Sequence, residues 1–149
     1  MGMQLNGWLE RNVDITENNE LWLSILNLNS LIDITTPISY KLFGYINNPK
    51  NIVGDPIFKD RGIPKYTSEE VKKWIFGIKS FNKKYPNDAF FGYSYIFYDE
   101  IIKAKIKDEF IQSEENDWFL LFSIMDLLCK DYRININEES LRLIVCFNY

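Results

Sequence analysis

The chain of 149 residues contains no histidine, and this absence excludes more chemistry than any other feature of its composition. Without histidine the chain lacks the usual general base near neutral pH and the commonest ligand of transition metals. Cysteine is scarce as well, since Cys129 and Cys146 are the only two and neither has the spacing of a metal site. Both lie in apolar segments, so we expect buried free thiols in a reducing compartment, no metal site and no cofactor.

Positive charge and long apolar runs are also in short supply. The chain has 17 Lys and Arg against 21 Asp and Glu, which gives a net charge of −4. That balance argues against binding to duplex nucleic acid or to an anionic membrane, because both interactions depend on clustered cations. The most apolar stretch, residues 118–129, is too short to cross a bilayer, and the first residues lack the pattern of a signal peptide. We therefore expect a cytoplasmic protein with no membrane partner.

The residues that are abundant predict a protein that folds by itself. Apolar residues make up 46% of the chain and aromatic residues 16%, well above the content of disordered chains. A length of 149 residues suits one domain, so we expect a single domain over residues 1–149. The frequent Asn, Ile, Lys, Phe and Tyr are typical of AT-rich coding, as in low-GC bacteria and their phages. We leave homo-oligomers open.

Hydrophobic periodicity predicts four strands and four helices in the order β-β-α-α-β-α-α-β. The expected strands are residues 1–10, 20–28, 90–97 and 141–147, and the expected helices are residues 38–45, 68–80, 98–107 and 118–130. The first two strands form a hairpin, and the last, apolar on both faces except for Arg142, is an interior strand. Helix 118–130, apolar nearly all round, is expected to be central and buried. This order indicates the α+β class, with helices packed on a mostly antiparallel sheet.

Two of the expected strands carry candidate site residues. In the first, Met3, Leu5 and Trp8 are expected to face inward, with Gly7 as a bulge. The segment 90–97, FFGYSYIF, divides into two unlike faces. One face would hold Phe91, Tyr93, Tyr95 and Phe97, and the other would hold Phe90, Gly92, Ser94 and Ile96. The small residues of the second face would let a ligand or another backbone come close.

Residues 47–74 combine an irregular segment with a clearly signalled helix. Five Pro and Gly residues divide the first half into turns, yet its apolar residues are too many for a disordered linker. We therefore expect a packed loop that presents Asp60 and Arg61 at a rim. Thr67 and Glu70 have the spacing of a capping box, which would begin the following helix.

That helix carries a basic cluster. Its apolar face is expected to consist of Val71, Trp74, Ile75 and Ile78 at helical spacing. Five lysines lie away from this face or beyond it, namely Lys72, Lys73, Lys79, Lys83 and Lys84. We interpret them as a solvated helix face in preference to a phosphate-binding site.

Five segments, in order along most of the chain, follow a known pattern. They are MGMQLNGWLE, ISYKLFGYI, DRGIPKYTSEEV, DAFFGYSYIFYDEI and LRLIVCFNY. Together they resemble a widespread, functionally uncharacterised family of small phage and bacterial proteins. Members of that family begin Met-Gly-Cys-Asp-Ile-His and carry an Arg-Gly-Leu-Pro loop and a His-Ser-x-Ser-Trp motif. The positions that this chain retains are Gly2, Glu10, Gly44, Arg61, Gly62, Pro64, Ser68 and Ser94.

The departures from the family pattern remove its ionisable groups. Met3, Gln4 and Asn6 stand where the family has Cys, Asp and His, and Phe91 and Gly92 stand in place of His-Ser. A Cys/Asp/His set near a second His could bind a metal or transfer protons. The resemblance thus implies a member without catalytic residues.

For the remaining candidate residues we weigh a structural role against a ligand-binding role. Arg61 could tie its loop to backbone carbonyls or to a carboxylate such as Glu10, or it could bind a phosphate or carboxylate of a ligand. Trp8, Trp22, Tyr93 and Tyr95 could pack in the core or form a stacking surface for a base. The predicted ligand-binding set is Asn6, Trp8, Glu10, Asp60, Arg61, Tyr93, Ser94 and Tyr95.

Three functional hypotheses follow. The first is a non-enzymatic phage-type protein that sequesters a small ligand, such as a cyclic nucleotide or an ADP-ribose derivative used as an immune signal in anti-phage defence. The second is a histidine-free hydrolase of such signals that uses Asp60, Glu10 or Asp88 with a hard cation. The third is a protein-interaction module, for example an inhibitor or an immunity protein, whose acidic surface suits a basic partner.

Overall fold

A four-stranded antiparallel sheet organises the chain. The computed structural model describes residues 4–13, 20–31, 61–105, 117–131 and 137–148. The strands are β1 (Gln4–Asn12), β2 (Trp22–Asn27), β3 (Phe91–Phe97) and β4 (Leu141–Asn148), in the spatial order β2-β1-β4-β3. Every neighbouring pair is antiparallel. The predicted hairpin of the first two strands and the interior position of the last strand are therefore confirmed.

Helices lie on both faces of this sheet, as expected for the α+β class. They are α1 (Leu28–Leu31), α2 (Glu69–Lys84), α3 (Tyr98–Lys103) and α4 (Asp117–Lys130), and a short 3-10 helix (Pro86–Asp88) follows α2. The four-residue turn of α1 replaces the end of the predicted second strand. The predicted helix at residues 38–45 lies outside the described residues.

Alternate residues of β4 feed two separate cores. Leu141, Leu143, Val145 and Phe147 belong to the main core, which they share with Trp118, Leu121, Phe122 and Met125 of α4 and with Ile101 of α3. Ile144 points to the opposite face and packs with Val71 and Ile75 of α2, together with the half-buried Trp8, Ile63, Trp74 and Tyr95. We call this smaller group the second core. The period-two alternation of a strand covered on both faces accounts for the apolar sequence of β4.

Two expectations for β1 are wrong. Gly7 pairs in regular register with Val145, and the irregularity falls between Leu9 and Glu10, opposite Ile25 of β2. A Cβ atom at Gly7 would lie 2.3 Å from the carbonyl oxygen of Ile144, so glycine is needed for close approach of two strands. Trp8 joins the second core, on the face opposite the core that buries Leu5. Met3 lies outside the described residues.

The glycine bulge that the sequence suggested at Gly7 of β1 occurs instead at Gly92 of β3. Phe91 pairs with Phe147 and Ser94 pairs with Val145, so one extra residue is accommodated between them. Gly92 adopts a φ of 67°, a conformation that glycine accepts without strain. The extra residue moves Phe91 to the main core, where its ring stacks on Phe147. The predicted grouping of Phe91 with Tyr93 and Tyr95 on one face is therefore wrong.

Helix α4 is buried on one face only, which corrects the expectation of a central helix. Trp118, Leu121 and Met125 are completely buried, whereas Phe119, Leu120 and Leu127 are 37%, 45% and 68% exposed. The outer face of α4 is thus apolar and exposed. Within the part of the chain that the structure describes, no helix combines the length and hydropathy needed to cross a membrane.

Helix α2 begins one residue later than its sequence signals indicated. The N-cap residue is Ser68, whose Oγ accepts a hydrogen bond from the backbone N–H of Val71 at 3.3 Å. Glu70 does not complete a capping box but accepts a 2.7 Å bond from the hydroxyl of Ser24 on β2, which lowers the pKa of Glu70. The predicted apolar face is confirmed, since Val71, Ile75 and Ile78 are buried and Trp74 is half-buried.

Candidate functional site

Arg61 fastens the segment before α2 to the edge strand β3. Its guanidinium donates through Nη1 to Glu100 Oε2 at 2.6 Å and to the carbonyl oxygen of Tyr95 at 3.3 Å. The same guanidinium lies 5.6 Å from the centre of the Tyr95 ring, and the backbone N–H of Arg61 donates to Ser94 Oγ at 3.3 Å. These contacts are of the structural kind weighed above, with Glu100 in place of Glu10. Asp60, the other predicted rim residue, lies outside the described residues.

Glu10 has a different partner, Arg142 on the neighbouring strand β4. Arg142 Nε donates to Glu10 Oε1 at 2.9 Å, and the backbone N–H of Ser68 donates to Glu10 Oε2 at 2.7 Å. Arg142 also donates through Nη2 to the carbonyl oxygen of Tyr66. One carboxylate and one guanidinium of the sheet thus hold residues 66–68, immediately before α2.

This buried pair is closed to solvent. The side chains of Glu10 and Arg142 are 0% and 2% exposed, and the indole of Trp22 covers the guanidinium, with its ring centre 3.5 Å from Arg142 Cζ. Burial lowers the pKa of Arg142, while the Glu10 carboxylate opposes that shift, and an arginine remains charged at neutral pH. Glu10 therefore joins two parts of its own chain, and its predicted role in ligand binding stays a prediction.

Asn6 lies on β1 and Tyr93 on β3, the two strands on either side of β4. Asn6 Nδ2 donates to Asn148 Oδ1 at 2.6 Å, which joins the outer ends of β1 and β4. Burial raises the pKa of Tyr93 to about 12, with a smaller contribution from the nearby Cys146. Burial likewise raises the pKa of the Cys146 thiol, so Cys146 stays protonated and unreactive.

Trp8 is notable for one atom. Its ring is half-buried in the second core, yet its Nε1–H is enclosed without a hydrogen-bond partner. A buried donor left unpaired costs free energy, so this N–H must be balanced by the packing of the indole.

The predicted site residues therefore do not form one cluster. Arg61, Ser94 and Tyr95 come together at the edge of β3, whereas Glu10 lies in the buried pair and Asn6 bonds to the end of β4. None of these residues lines the groove described next, although Asn6 contacts its lining residue Asn148.

A groove of about 380 Å³ lies beside the C-terminal half of α2. Its described lining includes Lys73, Trp74, Gly77, Phe81, Phe90 and Asn148. Lys73, Gly77 and Phe81 are spaced four residues apart and Trp74 lies three residues before Gly77, so these residues form one stripe of the helix. Phe90 precedes β3 and Asn148 ends β4, so the opposite side of the groove is the end of the sheet. The sequence alone does not indicate that these residues form a site.

Gly77 is the sequence signal that could have revealed the groove. It is exposed in the middle of the 16-residue helix α2, and a Cβ at this position would meet no atom within 4 Å. No close packing therefore requires glycine, although glycine in a helix interior costs about 0.5–1 kcal/mol relative to alanine. Because Gly77 has no side chain, the backbone of α2 stays accessible between Trp74 and Phe81, and the helix is less stable at this position.

The groups in the groove are suited to holding a ligand. They comprise aromatic rings, the ammonium of Lys73 and the amide of Asn148. Two of the three carboxylates named for the hydrolase hypothesis lie elsewhere, since Glu10 contacts the residue before α2 and Asp88 is exposed after its end, and Asp60 is outside the described residues. A helix of this length spans about 24 Å, so these two carboxylates cannot share one cation. Among the described residues no group of three His, Cys, Asp or Glu side chains could hold a metal ion.

Comparison with known proteins adds no assignment. A scan against protein-family models, a search of curated proteins and a search of solved structures each found no match.

Proposed function

We propose that this chain is a non-enzymatic binding protein that sequesters a small ligand in the groove beside α2. One observation carries the proposal: Gly77 weakens α2 at the point where its side chain would otherwise project into open space beside the groove. A volume of about 380 Å³ is within the range of small-molecule sites, toward its lower end. The family resemblance contributes the suggestion that the ligand is a nucleotide immune signal bound by a phage-type protein.

Thermal unfolding with a panel of ligands tests this function. The wild-type protein is heated with cyclic dinucleotides, ADP-ribose derivatives and nucleoside monophosphates, and each ligand is afterwards examined by mass spectrometry with and without Mg²⁺ or Mn²⁺. A ligand present at 100 times its Kd should stabilise the fold by about 2.7 kcal/mol and be recovered unchanged. If no ligand raises the unfolding temperature, the binding function fails. If the ligand returns cleaved, the hydrolase hypothesis replaces it.

A protein-interaction module is the second candidate, and the outer face of α4 favours it. Phe119, Leu120 and Leu127 are exposed on this face. Such an exposed apolar surface is typical of protein–protein contacts, including contacts between two copies of one chain. Light scattering after size exclusion should then give a dimer for the wild type and a monomer for Leu127→Lys. A monomeric wild type at high concentration would argue against this candidate.

A further inference from the structure

The aromatic rings of the groove set the first requirement for its ligand. Phe81 is 38% exposed and meets Phe90 edge to face at 5.5 Å, while Trp74 is half-buried two turns earlier on α2. Gly77 lies between Trp74 and Phe81 in sequence and leaves the helix backbone accessible. A flat ring can therefore lie close to the helix and stack on an aromatic side chain.

A single charge beside these rings sets the second requirement. Lys73 is exposed one turn before Gly77 and is the only cation among the described lining residues. A lysine ammonium binds phosphate as a compact point charge. Lys84, eleven residues after Lys73, falls on the same helical stripe beyond the groove. Glu70 lies at the beginning of the same stripe and interacts with Lys73, so the positive charge beside the groove that can attract an anion comes from Lys73 and Lys84 alone.

The amide of Asn148 supplies the third requirement. The bond from Asn6 to Asn148 Oδ1 fixes the orientation of this amide at the end of the groove. Asn148 thus forms a polar boundary at this end of the groove, and its Oδ1 already accepts a hydrogen bond from Asn6. The volume of about 380 Å³ and the single lining cation together favour one ring system and one anionic group.

From this combination we infer that the groove binds a nucleoside monophosphate, with the base stacked along Trp74 and Phe81 and the phosphate beside Lys73. The inference rests on the proposed function and narrows its ligand class. A cyclic dinucleotide carries a second base and a second phosphate, for which the described lining offers no second cation. Cyclic dinucleotides should therefore bind more weakly than monophosphates.

Isothermal titration with AMP, adenosine, inorganic phosphate and cyclic di-AMP tests the assignment. AMP should bind at least about tenfold more tightly than each of the other three. It alone combines a ring that can stack, a phosphate for Lys73 and a size that suits the groove. Lys73→Gln should weaken AMP by about five- to tenfold and leave adenosine unchanged, since a charge-assisted bond contributes only to the phosphate. Lys72→Gln is the matched control: Lys72 pairs with Glu69 at 3.0 Å and does not line the groove.

A second pair of variants separates stacking from general damage to α2. Trp74→Leu should weaken AMP and adenosine alike by about tenfold, whereas Phe76→Leu, at a position 74% exposed and outside the groove, should change neither. Equal weakening by Lys72→Gln and Lys73→Gln, or tighter binding of cyclic di-AMP than of AMP, overturns the assignment. If AMP does not bind but another ligand stabilises the wild type, the ligand class fails and the binding function stands.

Discussion

At the beginning of α2 a buried carboxylate and a buried guanidinium hold the chain, whereas farther along the helix an exposed glycine borders a groove. Glu10 and Arg142 bond to each other and to residues 66–68, and both side chains are almost fully enclosed. A Cβ atom at Gly77 would meet no atom within 4 Å. The buried pair fixes the position of the chain before α2, whereas Gly77 lowers the stability of the helix. The difference indicates that α2 is anchored at its beginning so that its later turns can carry a binding surface.

The largest effect is expected from removing half of the buried pair. Glu10→Ala leaves the Arg142 charge buried without its carboxylate and should lower the free energy of unfolding by about 3–5 kcal/mol, measured by urea denaturation. Replacing both residues by methionine should recover most of this loss, because no charge is then left unpaired. If the double variant is as unstable as the single variant, the unpaired charge of Arg142 is not what destabilises Glu10→Ala.

A smaller effect is expected at Arg61, where both partners of the ion pair remain about one third exposed. Arg61→Ala should cost about 0.2–1 kcal/mol in unfolding free energy, as is usual for pairs in contact with water. Glu100→Gln should give a similar change. The affinity for AMP should stay the same in both variants if the groove holds the ligand. A tenfold loss of affinity in Arg61→Ala alone would instead support the ligand-binding role predicted from the sequence.

The smallest effect at neutral pH is expected for Tyr93, which lies near Cys146. Its pKa is raised from 10.0 to about 12 in the folded protein, so the unfolded chain ionises first as the pH rises. The stabilisation is complete below pH 10 and is lost between pH 10 and about 12. Tyr93→Phe should make the decline of stability in this interval shallower. Identical pH profiles for variant and wild type would show that Tyr93 is not protected from ionisation.

Local sequence patterns predicted most of the fold because they depend on neighbouring residues. The apolar face of α2 and the interior strand β4 follow directly from spacing. The Glu10–Arg142 pair could not be predicted, since its members are 132 residues apart and no local pattern joins them. Strict alternation through FFGYSYIF does not predict the bulge at Gly92, although an internal glycine is the usual mark of a bulge.

The groove could not be predicted from the sequence for a related reason. Considered singly, Lys73 indicates a solvated helix face and Trp74 indicates a core residue. The two become parts of one site only because Gly77 lies on the same stripe of α2 and the ends of the sheet bring Phe90 and Asn148 alongside. A glycine in a strongly signalled helix is thus the one local feature that pointed to this surface.

Gly77→Leu tests most directly whether stability at this position is given up for binding. Leucine favours the helix, and its Cβ would meet no atom within 4 Å, so urea denaturation should give an unfolding free energy about 0.5–1 kcal/mol higher than that of the wild type. The longer side chain should occupy the groove, so calorimetry on the same variant should detect at least about a tenfold loss of affinity for AMP. Greater stability with weaker binding is the predicted result. A variant that binds AMP as tightly as the wild type would contradict the assignment of the groove as the binding site.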